Sequence, residues 1–479
     1  MTRARPLAVA LLLGVVAALH AEPPSAPDSD PTDLPASVRE TAARLRDEAL
    51  RGTQAYDLVR SLTFEVGPRL AGSRGLGEAV AWGLRTLQRL GFQNVHGEKV
   101  MVPHWERGTI AGEILSPWRQ PVALAALGGS VGTPEEGIEA EVVEVPSLAA
   151  LDRLGADRVR GRIVFFDTVM QRTRDGSGYG KAVGVRGSGA ARAGKLGALA
   201  VLIRSIGTGG SRFPHTGAMH YEAGGPQIPA AALAIPDADL LAAEIASGKP
   251  VIFRLKSTSR LLPDVEAANV VGEIAGSETP GEVVLLGAHL DSWDLGTGAI
   301  DDAAGCGIVI EAARRIGQLP RHPRRTVRVV LFANEEFGTS GAKAYAQAHA
   351  AELPRHVLAG ESDLGSGRVW RIQSRVAPDH LPGVAALARL LAPLGVEAGG
   401  NEAHGGTDVA PLTPAGVPLL DLDQDATTYF DNHHTANDTL DIVDAKDLDQ
   451  NVAAWAAVAY AVADLPGDLG RAPAGKPEE

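Results

Sequence analysis

The chain has 479 residues, a globular composition with 45% hydrophobic residues, and a formal net charge of −13. This length predicts two domains, or one domain that carries a large insertion. The negative charge argues against a nucleic-acid-binding protein, which usually presents a basic face. The single cysteine, Cys306, excludes an internal disulfide and is interpreted as a packing residue.

The first 21 residues have the pattern of a secretory signal peptide. Arg3 and Arg5 precede the apolar stretch LAVALLLGVVAAL, and Ala21 offers a small residue before a polar segment. The apolar stretch is too short to favour a membrane-spanning anchor. We therefore predict cleavage after Ala21, export to the periplasm or the extracellular space, and no membrane partner. Residues 22–38 are proline-rich and polar and are predicted to form a disordered leader.

Residues 39–110 have a helical pattern followed by a mixed one, and are predicted to form helices and a strand. The segment GEAVAWGLRTLQRLGF places Val80, Leu84 and Leu87 on one helical face, and Gly91 is the expected stop. The segment VHGEKVMVPH then alternates between apolar and polar residues, as a strand does.

Residues 111–265 differ from the rest in composition. They are rich in glycine, alanine and valine, and their short apolar runs IEAEVVEV, GRIVFFD, GALAVLIRS and IPAAALAI are typical of strands. One helix, GSGAARAGKLGA, is expected among them. This region is predicted to be a separate, strand-rich inserted domain.

Residues 266–466 alternate strand and helix patterns, which predicts an α/β sandwich around a largely parallel sheet. The alternation runs from the buried strand EVVLLGAHLD to a long closing helix, DLDQNVAAWAAVAYAVADL. Residues 467–479 are again polar and proline-containing, and are predicted to be a disordered tail.

Acidic residues and a histidine follow three of the predicted strands. His289 and Asp291 follow VVLLGA, Glu335 and Glu336 follow VRVVLFAN, and Asp363 follows VLAGES. In an open α/β sheet, ligands bind outside the carboxyl ends of the strands. We therefore expect these side chains to meet at one edge of the sheet.

Two nearby loops add further donors, Asp301 and Asp302 after the first strand and the pair His433 and His434 later in the chain. Histidine with several carboxylates is the ligand set of zinc or a similar divalent ion, and two neighbouring metals need a shared carboxylate. Taken alone, each acidic residue is more often a cap or turn residue than a ligand, and a lone histidine is more often structural. Their joint placement at one edge of the sheet indicates a metal site. Five residues fit that site and leave Glu335 free to act as a base: His289, Asp301, Glu336, Asp363 and His434.

The segments HLDSWDLGTGAIDDAAG, FANEEFGTSGA, ESDLG and HHTANDT resemble the signature segments of the M28 family of co-catalytic zinc peptidases. The segments GPRLAGS, VPHWERG, GALAVLIRS, PHTG and GGTDVAPL resemble one branch of that family, so that the resemblance spans residues 55–465. It implies a three-layer α/β/α sandwich with a mostly parallel mixed sheet. It also implies that residues 39–110 and 266–466 form the catalytic domain, and that residues 111–265 form an inserted protease-associated domain.

The resemblance implies two zinc ions per chain and a role for each motif residue. One zinc would be bound by His289 and Asp363, the other by Glu336 and His434, with Asp301 as the bridge and Glu335 as the general base. His434 is chosen over His433 because the family's ligand histidine directly precedes a serine or threonine. The resemblance further implies a cis peptide bond between Asp301 and Asp302.

Asp291 is expected to assist catalysis by hydrogen bonding to the second ring nitrogen of His289, as carboxylates often do beside metal-bound histidines. His404, Asp408 and Tyr429 are candidates for the substrate pocket because they lie in loops near the motifs.

Members of the branch act on small unblocked peptides, so the resemblance implies an exopeptidase, foremost a dipeptidase, and suggests a homodimer. The alternatives within enzymes are a broader M28 aminopeptidase that trims longer peptides and a glutaminyl cyclase with one zinc. An inactive binding module is disfavoured, because such relatives usually lose ligands, whereas all five ligand positions and Glu335 are present here.

Overall fold

The computed structural model describes residues 1, 2 and 33–473. Apart from residues 1 and 2, the predicted signal peptide lies outside the described residues, as does most of the predicted leader. The N-terminal part of the catalytic domain contributes three helices and one strand: α1 Ala36–Ala49, α2 Ala55–Glu65, α3 Arg74–Arg89 and β1 Gln93–Glu106.

Helix α1 begins inside the segment that was expected to be a disordered leader. Leu34, Val38, Ala42 and Leu45 are buried, and they recur at helical spacing on one face. The prediction for residues 22–38 is therefore wrong at its C-terminal end, because this apolar face packs on the body of the protein.

The inserted domain contains eight strands and five helices, where one helix was predicted. Its elements are β2 Ile110–Ser116, β3 Gln120–Val122, β4 Leu124–Ala126, β5 Ile138–Val145, α4 Leu148–Leu154, α5 Ala156–Val159, β6 Ile163–Phe166, α6 Ser177–Ala182, α7 Gly184–Lys195, β7 Ala200–Arg204, β8 Ala230–Leu233, α8 Ile235–Ala246 and β9 Ile252–Ser257. Three of the missed helices have seven residues or fewer, too few to show a helical period in the sequence. The strands form one sheet in the order β3-β2-β9-β5-β6-β7-β8-β4.

The chain returns to the catalytic domain at Arg260, which pairs with Glu106 of β1. The remaining elements are β10 Arg260–Ile274, β11 Thr279–His289, α9 Ala304–Gly317, β12 Arg325–Phe332, α10 Ser340–Ala348, β13 His356–Glu361, β14 Val369–Arg375, α11 Leu381–Leu391, β15 Glu397–Ala398, β16 Leu419–Gln424 and α12 Ala445–Asp464. The domain boundary thus falls before residue 266. Whether the insertion is a protease-associated domain stays a prediction.

The catalytic sheet has the strand order β1-β10-β12-β11-β13-β16-β14-β15. Its four central strands, β12, β11, β13 and β16, are parallel, and antiparallel pairs flank them. Along β11, Val284 and Leu286 pack with the helices α9 and α12, whereas Val283 and Leu285 pack with Tyr345 of α10 on the other face. The predicted three-layer α/β/α sandwich with a mixed sheet is confirmed.

The predicted tail is ordered over its first residues. Leu469 and Ala472 are buried, and the Arg471 guanidinium donates to the carbonyl groups of His356 and Ala415 at 3.0 and 2.7 Å. The prediction of disorder is therefore wrong for residues 467–473, because these contacts hold the segment against the sheet. Within the described part of the chain, no helix is long and apolar enough to cross a bilayer.

Candidate active site

The carboxyl ends of the parallel strands meet where the sequence predicts. His289 ends β11, and Asp363 follows β13 by two residues. Their side chains meet, with Nε2 of His289 3.2 Å from Oδ1 of Asp363. His289 is fully buried, whereas Asp363 is partly exposed, so His289 depends on its carboxylate neighbours or on a ligand for the polar contacts of its ring.

Asp301 lies between two histidines. Its Oδ1 is 3.1 Å from Nε2 of His289, and its Oδ2 is 3.2 Å from Nε2 of His434. The residue sits in a tight turn, Ala299–Ala303, directly before α9, and its peptide bond to Asp302 is cis, as the resemblance implied. The two oxygens of the Asp301 carboxylate thus face different histidines, His289 on one side and His434 on the other.

Glu336 joins His434 and Asp301 on the second side of the cluster. Its Oε2 lies 2.9 Å from Nε2 of His434 and accepts a hydrogen bond of 2.6 Å from the Trp293 indole. Its Oε1 is buried and has no hydrogen-bond partner among the described residues. A buried carboxylate oxygen without a partner is costly unless a cation or a ligand binds it.

The geometry favours His434 over His433 as the ligand. Nδ1 of His434 is 3.2 Å from the carbonyl oxygen of Thr216, an arrangement that fixes the ring and leaves Nε2 free to bind. His433 lies farther from Asp301, at 3.5 Å, and its Nδ1 is buried without a partner. The two rings are stacked with centroids 3.5 Å apart, so His433 supports the position of its neighbour.

The donor set fits two zinc ions. Ligands about 2.0–2.2 Å from a tetrahedral zinc lie roughly 3.3–3.5 Å from one another, and the contacts above, at 2.9 to 3.2 Å, are close to this spacing. Three sets of donor atoms each lie within 4.8 Å of one another: His289, Asp301 and Glu336; Asp301, His433 and His434; and His289, Asp302 and Asp363. His433 and Asp302 thus lie beside the five predicted ligands. The structure therefore brings all five predicted ligands together.

The electrostatics of the cluster also call for a cation. Burial, together with the charge of Asp301, raises the pKa of Glu336 to about 7, and burial raises the pKa of Asp363. Burial alone would raise the pKa of Asp301 too, but hydrogen bonds from His289 and His434 hold it well below its ordinary value. The protein on its own thus stabilises the negative charges of Glu336 and Asp363 poorly, as expected where bound cations supply the missing charge.

Asp291 does not make the hydrogen bond that was predicted for it. Its carboxylate is 3.8 Å from Nδ1 of His289, which instead contacts the backbone carbonyl of Asp291 at 3.0 Å. The carboxylate accepts hydrogen bonds from the backbone amides of Glu335 and Glu336, at 3.0 and 3.3 Å. Asp291 therefore positions the loop that carries both glutamates, because these two amides occupy its oxygens.

Glu335 lines a cavity of about 310 Å³ together with Asp301, Glu336 and Asp363. Burial raises the pKa of the Glu335 carboxyl well above its ordinary value. Glu335 is thus next to the predicted ligands and in contact with the space that a substrate would fill, as a base requires.

The three predicted pocket residues have different positions. Tyr429 lines the cavity. His404 is exposed and lies in an adjoining depression beside Asp363. Asp408 is fully buried, and its amide donates to Glu361 at 2.8 Å. Asp408 does not line the cavity, because the glycine-containing turn before it directs the chain into the interior.

The inserted domain forms one wall of the cavity, which the sequence did not reveal. Tyr179 and Arg186 of this domain line the cavity beside Phe430, and the rings of Tyr179 and Phe430 are stacked at 4.9 Å. Thr208 donates its amide to the carbonyl of Phe430 at 3.0 Å. No local pattern carries this information, since these residues are far from the metal motifs in sequence.

Arg107 links the two domains beside the site. Its guanidinium forms an ion pair with Asp294 and donates to Thr216 Oγ1 at 3.1 Å and to the carbonyl of Ala126. Thr216 is the residue whose carbonyl contacts His434. Arg107 therefore fixes the part of the inserted domain that touches the predicted ligand, and it accounts for Asp294 in the acid-rich loop.

Replacing Arg107 by methionine is expected to lower the free energy of unfolding by about 1–3 kcal/mol, because Asp294 and two carbonyl or hydroxyl groups lose a charged donor. Thermal or urea unfolding would measure the loss. Adding Asp294→Asn to this variant should lower the free energy of unfolding little further, because the ion pair is already broken. Full additivity of the two substitutions would contradict this coupling.

Comparison with known proteins agrees with the fold. The model of peptidase family M28 matches residues 269–459. Carboxypeptidase Q of Homo sapiens is 38% identical over 413 residues, 86% of each chain, and that of Rattus norvegicus is 39% identical over 412 residues, again 86% of each. A solved peptidase M28 precursor from Shewanella amazonensis SB2B is 46% identical, covers 92% of this chain and 99% of its own, and superposes with a TM-score of 0.90.

The fold, the cluster of donors and these relatives define a metallopeptidase. The chain belongs to peptidase family M28. Within that family it is similar to the carboxypeptidase Q branch, which is the branch that its GPRLAGS and GGTDVAPL segments resemble.

Proposed function

We propose that this metallopeptidase binds two zinc ions and acts as an exopeptidase on small unblocked peptides, foremost dipeptides. The observation that carries the proposal is the position of Asp301, whose two oxygens face His289 on one side and His434 on the other. A carboxylate in this position suits a bridge between two cations.

Each zinc would have its own pair of ligands besides Asp301. His289 and Asp363 would hold one ion, and Glu336 and His434 the other. When bound there, the zinc ions would supply Lewis acidity that lowers the pKa of a water molecule and polarises the peptide carbonyl.

Glu335 would move the proton. Its carboxylate would accept a proton from the attacking water and return it to the leaving amine. Asp291 holds the Glu335 amide at 3.0 Å, which fixes the backbone from which this side chain reaches the cavity. A carboxylate suits this task because it both accepts and returns a proton.

The size of the cavity supports a small substrate. At about 310 Å³ it lies at the lower end of the range of about 300–1,000 Å³ that is usual for ligand pockets. The inserted domain closes one side through Tyr179 and Thr208, which leaves little room for a long peptide. Similarity to carboxypeptidase Q supports the same substrate class.

The test compares three substrates with metal-stripped, zinc-reloaded protein: a free dipeptide, the same dipeptide with a blocked N-terminus, and a longer peptide. We expect the free dipeptide to be hydrolysed fastest, activity to vanish on chelation, and two zinc ions per chain to restore it. Preferred trimming of the longer peptide would favour an aminopeptidase. One zinc at full activity, or activity without metal, would contradict the proposal.

Export is proposed on the pattern of residues 1–21 alone, and the homodimer on the resemblance alone. The mass of the protein recovered from the periplasm or the medium would test cleavage after Ala21.

A further inference from the structure

A depression in the surface of the catalytic domain adjoins the active-site cavity. It has a volume of about 210 Å³, and it shares Asp363, Leu364 and Thr407 with the cavity that contains Glu335. Its lining residues all come from the catalytic domain. A side chain of a peptide that is cleaved beside Asp363 can therefore enter this depression.

The depression is a gap between two strands of the sheet. Strands β13 and β16 pair at Ala359 and Leu419 and then separate, because the chain around Gly405 lies between them. The amide of Glu361 donates to the carbonyl of Gly405 at 2.8 Å, and the amide of Gly405 donates to Oδ1 of Asp421 at 2.6 Å. The fold thus places one acid of each strand at the depression, Glu361 from β13 and Asp421 from β16.

The charge of the depression is negative. No lysine or arginine of the described residues lines it, and four carboxylates do: Glu361, Asp363, Asp421 and Asp423. Asp423 is paired with Arg371 at 2.5 Å, and the predicted zinc would offset the charge of Asp363. Asp421 has no such partner among the described residues, because its two oxygens accept backbone amides of the neighbouring loop. Burial raises the pKa of Asp421 to about 6, so this carboxylate is ionised at neutral pH.

Glu361 lacks a donor for one of its oxygens. It lines the depression and is 7% exposed. Its Oε2 accepts the amide of Asp408 at 2.8 Å, whereas its Oε1 is buried and has no hydrogen-bond partner among the described residues. A buried carboxylate oxygen without a partner is costly. Its retention at the wall of an open depression indicates that a donor from outside the chain completes the site.

The lining of the depression suits a long side chain with a charged end. Leu364 and Leu422 line it beside the acids, so they can cover the methylene groups of lysine or arginine while the charged end contacts the carboxylates. An acidic side chain would be repelled. An uncharged side chain of the same length would fill the space but would give Glu361 and Asp421 no donor.

We propose that the depression binds the basic side chain of a lysine or arginine next to the scissile bond, with Glu361 and Asp421 as its carboxylate partners. The enzyme therefore selects dipeptides that contain a basic residue. This inference rests on the proposed exopeptidase function and names the substrate class of that site. Hydrogen bonds between a cationic donor and a carboxylate are about twice as strong as neutral ones, which makes them suited to such a selection.

The test compares lysine with norleucine, an uncharged residue with a similar carbon chain, at each position of a dipeptide whose other residue is alanine. In the zinc-loaded wild type, kcat/KM should be roughly 10-fold higher or more for lysine at one of the two positions. Asp421→Asn should remove most of this preference, mainly by raising KM for the lysine substrate. Thr407→Lys, at an exposed position of the same depression, should remove it as well, because a second ammonium group repels the first.

The control is Asp379→Asn, a change at a side chain that is 82% exposed and lies outside the depression. It should keep the wild-type preference. Equal kcat/KM values for lysine and norleucine at both positions would overturn the inference, as would a preference that Asp421→Asn and Thr407→Lys both retain. Should Asp421→Asn fail to fold, Thr407→Lys decides.

Calorimetric binding of free lysine and free norleucine to the zinc-loaded protein separates the two proposals. Tighter binding of lysine without hydrolysis of any dipeptide would contradict the proposed function and support the depression as a binding site. Equal binding of the two amino acids would overturn the inference even where dipeptides are hydrolysed.

Discussion

Replacing Glu335 by glutamine is expected to reduce kcat by about 10²–10⁴-fold while both zinc ions stay bound. The amide keeps the size of the side chain but cannot take a proton from water. Glu335 makes none of the contacts that join His289, Asp301, Glu336, Asp363 and His434, so the metal content should not change. Steady-state kinetics with a free dipeptide and metal analysis of the same sample would measure both.

A suitable control is Glu402→Gln, a change at an exposed carboxylate outside the cavity, which should leave kcat unaltered. Near-normal turnover in Glu335→Gln would show that another group acts as the base. Loss of zinc from this variant would instead place Glu335 among the ligands.

The second large effect is expected for Asp301→Asn. An amide carries no negative charge and offers a single acceptor oxygen, whereas the two oxygens of Asp301 face His289 and His434 separately. Replacing a residue that hydrogen-bonds a metal ligand, without binding the metal itself, already reduces affinity about 10–100-fold. Asp301→Asn should therefore weaken both zinc sites by more than about 100-fold and abolish activity at ordinary zinc concentrations.

Asp363→Asn provides the matched comparison. Asp363 contacts His289 but is not among the contacts of His434, so this variant should lose one zinc and retain the other. A zinc titration monitored by calorimetry would distinguish the loss of one zinc site from the loss of both. Equal loss of both ions in the two variants, or unchanged affinity in Asp301→Asn, would contradict the bridging role.

The sequence predicted the residues at the strand ends well, for a physical reason. His289, Glu336 and Asp363 each follow a buried apolar run, and the carboxyl ends of parallel strands necessarily share an edge. The alternation of strands and helices between residues 266 and 466 predicted the layers in the same way, because each element must bury one apolar face.

Contacts that depend on three-dimensional placement could not be predicted. The carboxylate of Asp291 lies near His289 in sequence, yet two backbone amides of the next strand's loop occupy it. Asp408 has a polar side chain in a glycine-rich loop, which favours a surface position, but the chain turns inward there. Arg186 and Thr216 reach the site through the packing of a whole domain, and no periodicity or spacing encodes that placement.

The bond between His434 and the carbonyl of Thr216 has a thermodynamic consequence. Coupling between two binding events is reciprocal. If docking of the inserted domain increases zinc affinity by a certain free energy, zinc binding therefore stabilises the docked domain by the same free energy. A metal ion bound through His434 would thus act as a clamp between segments that are far apart in the chain. Weakening the interface would then register first as a rise in the zinc concentration needed for activity, before any unfolding is visible.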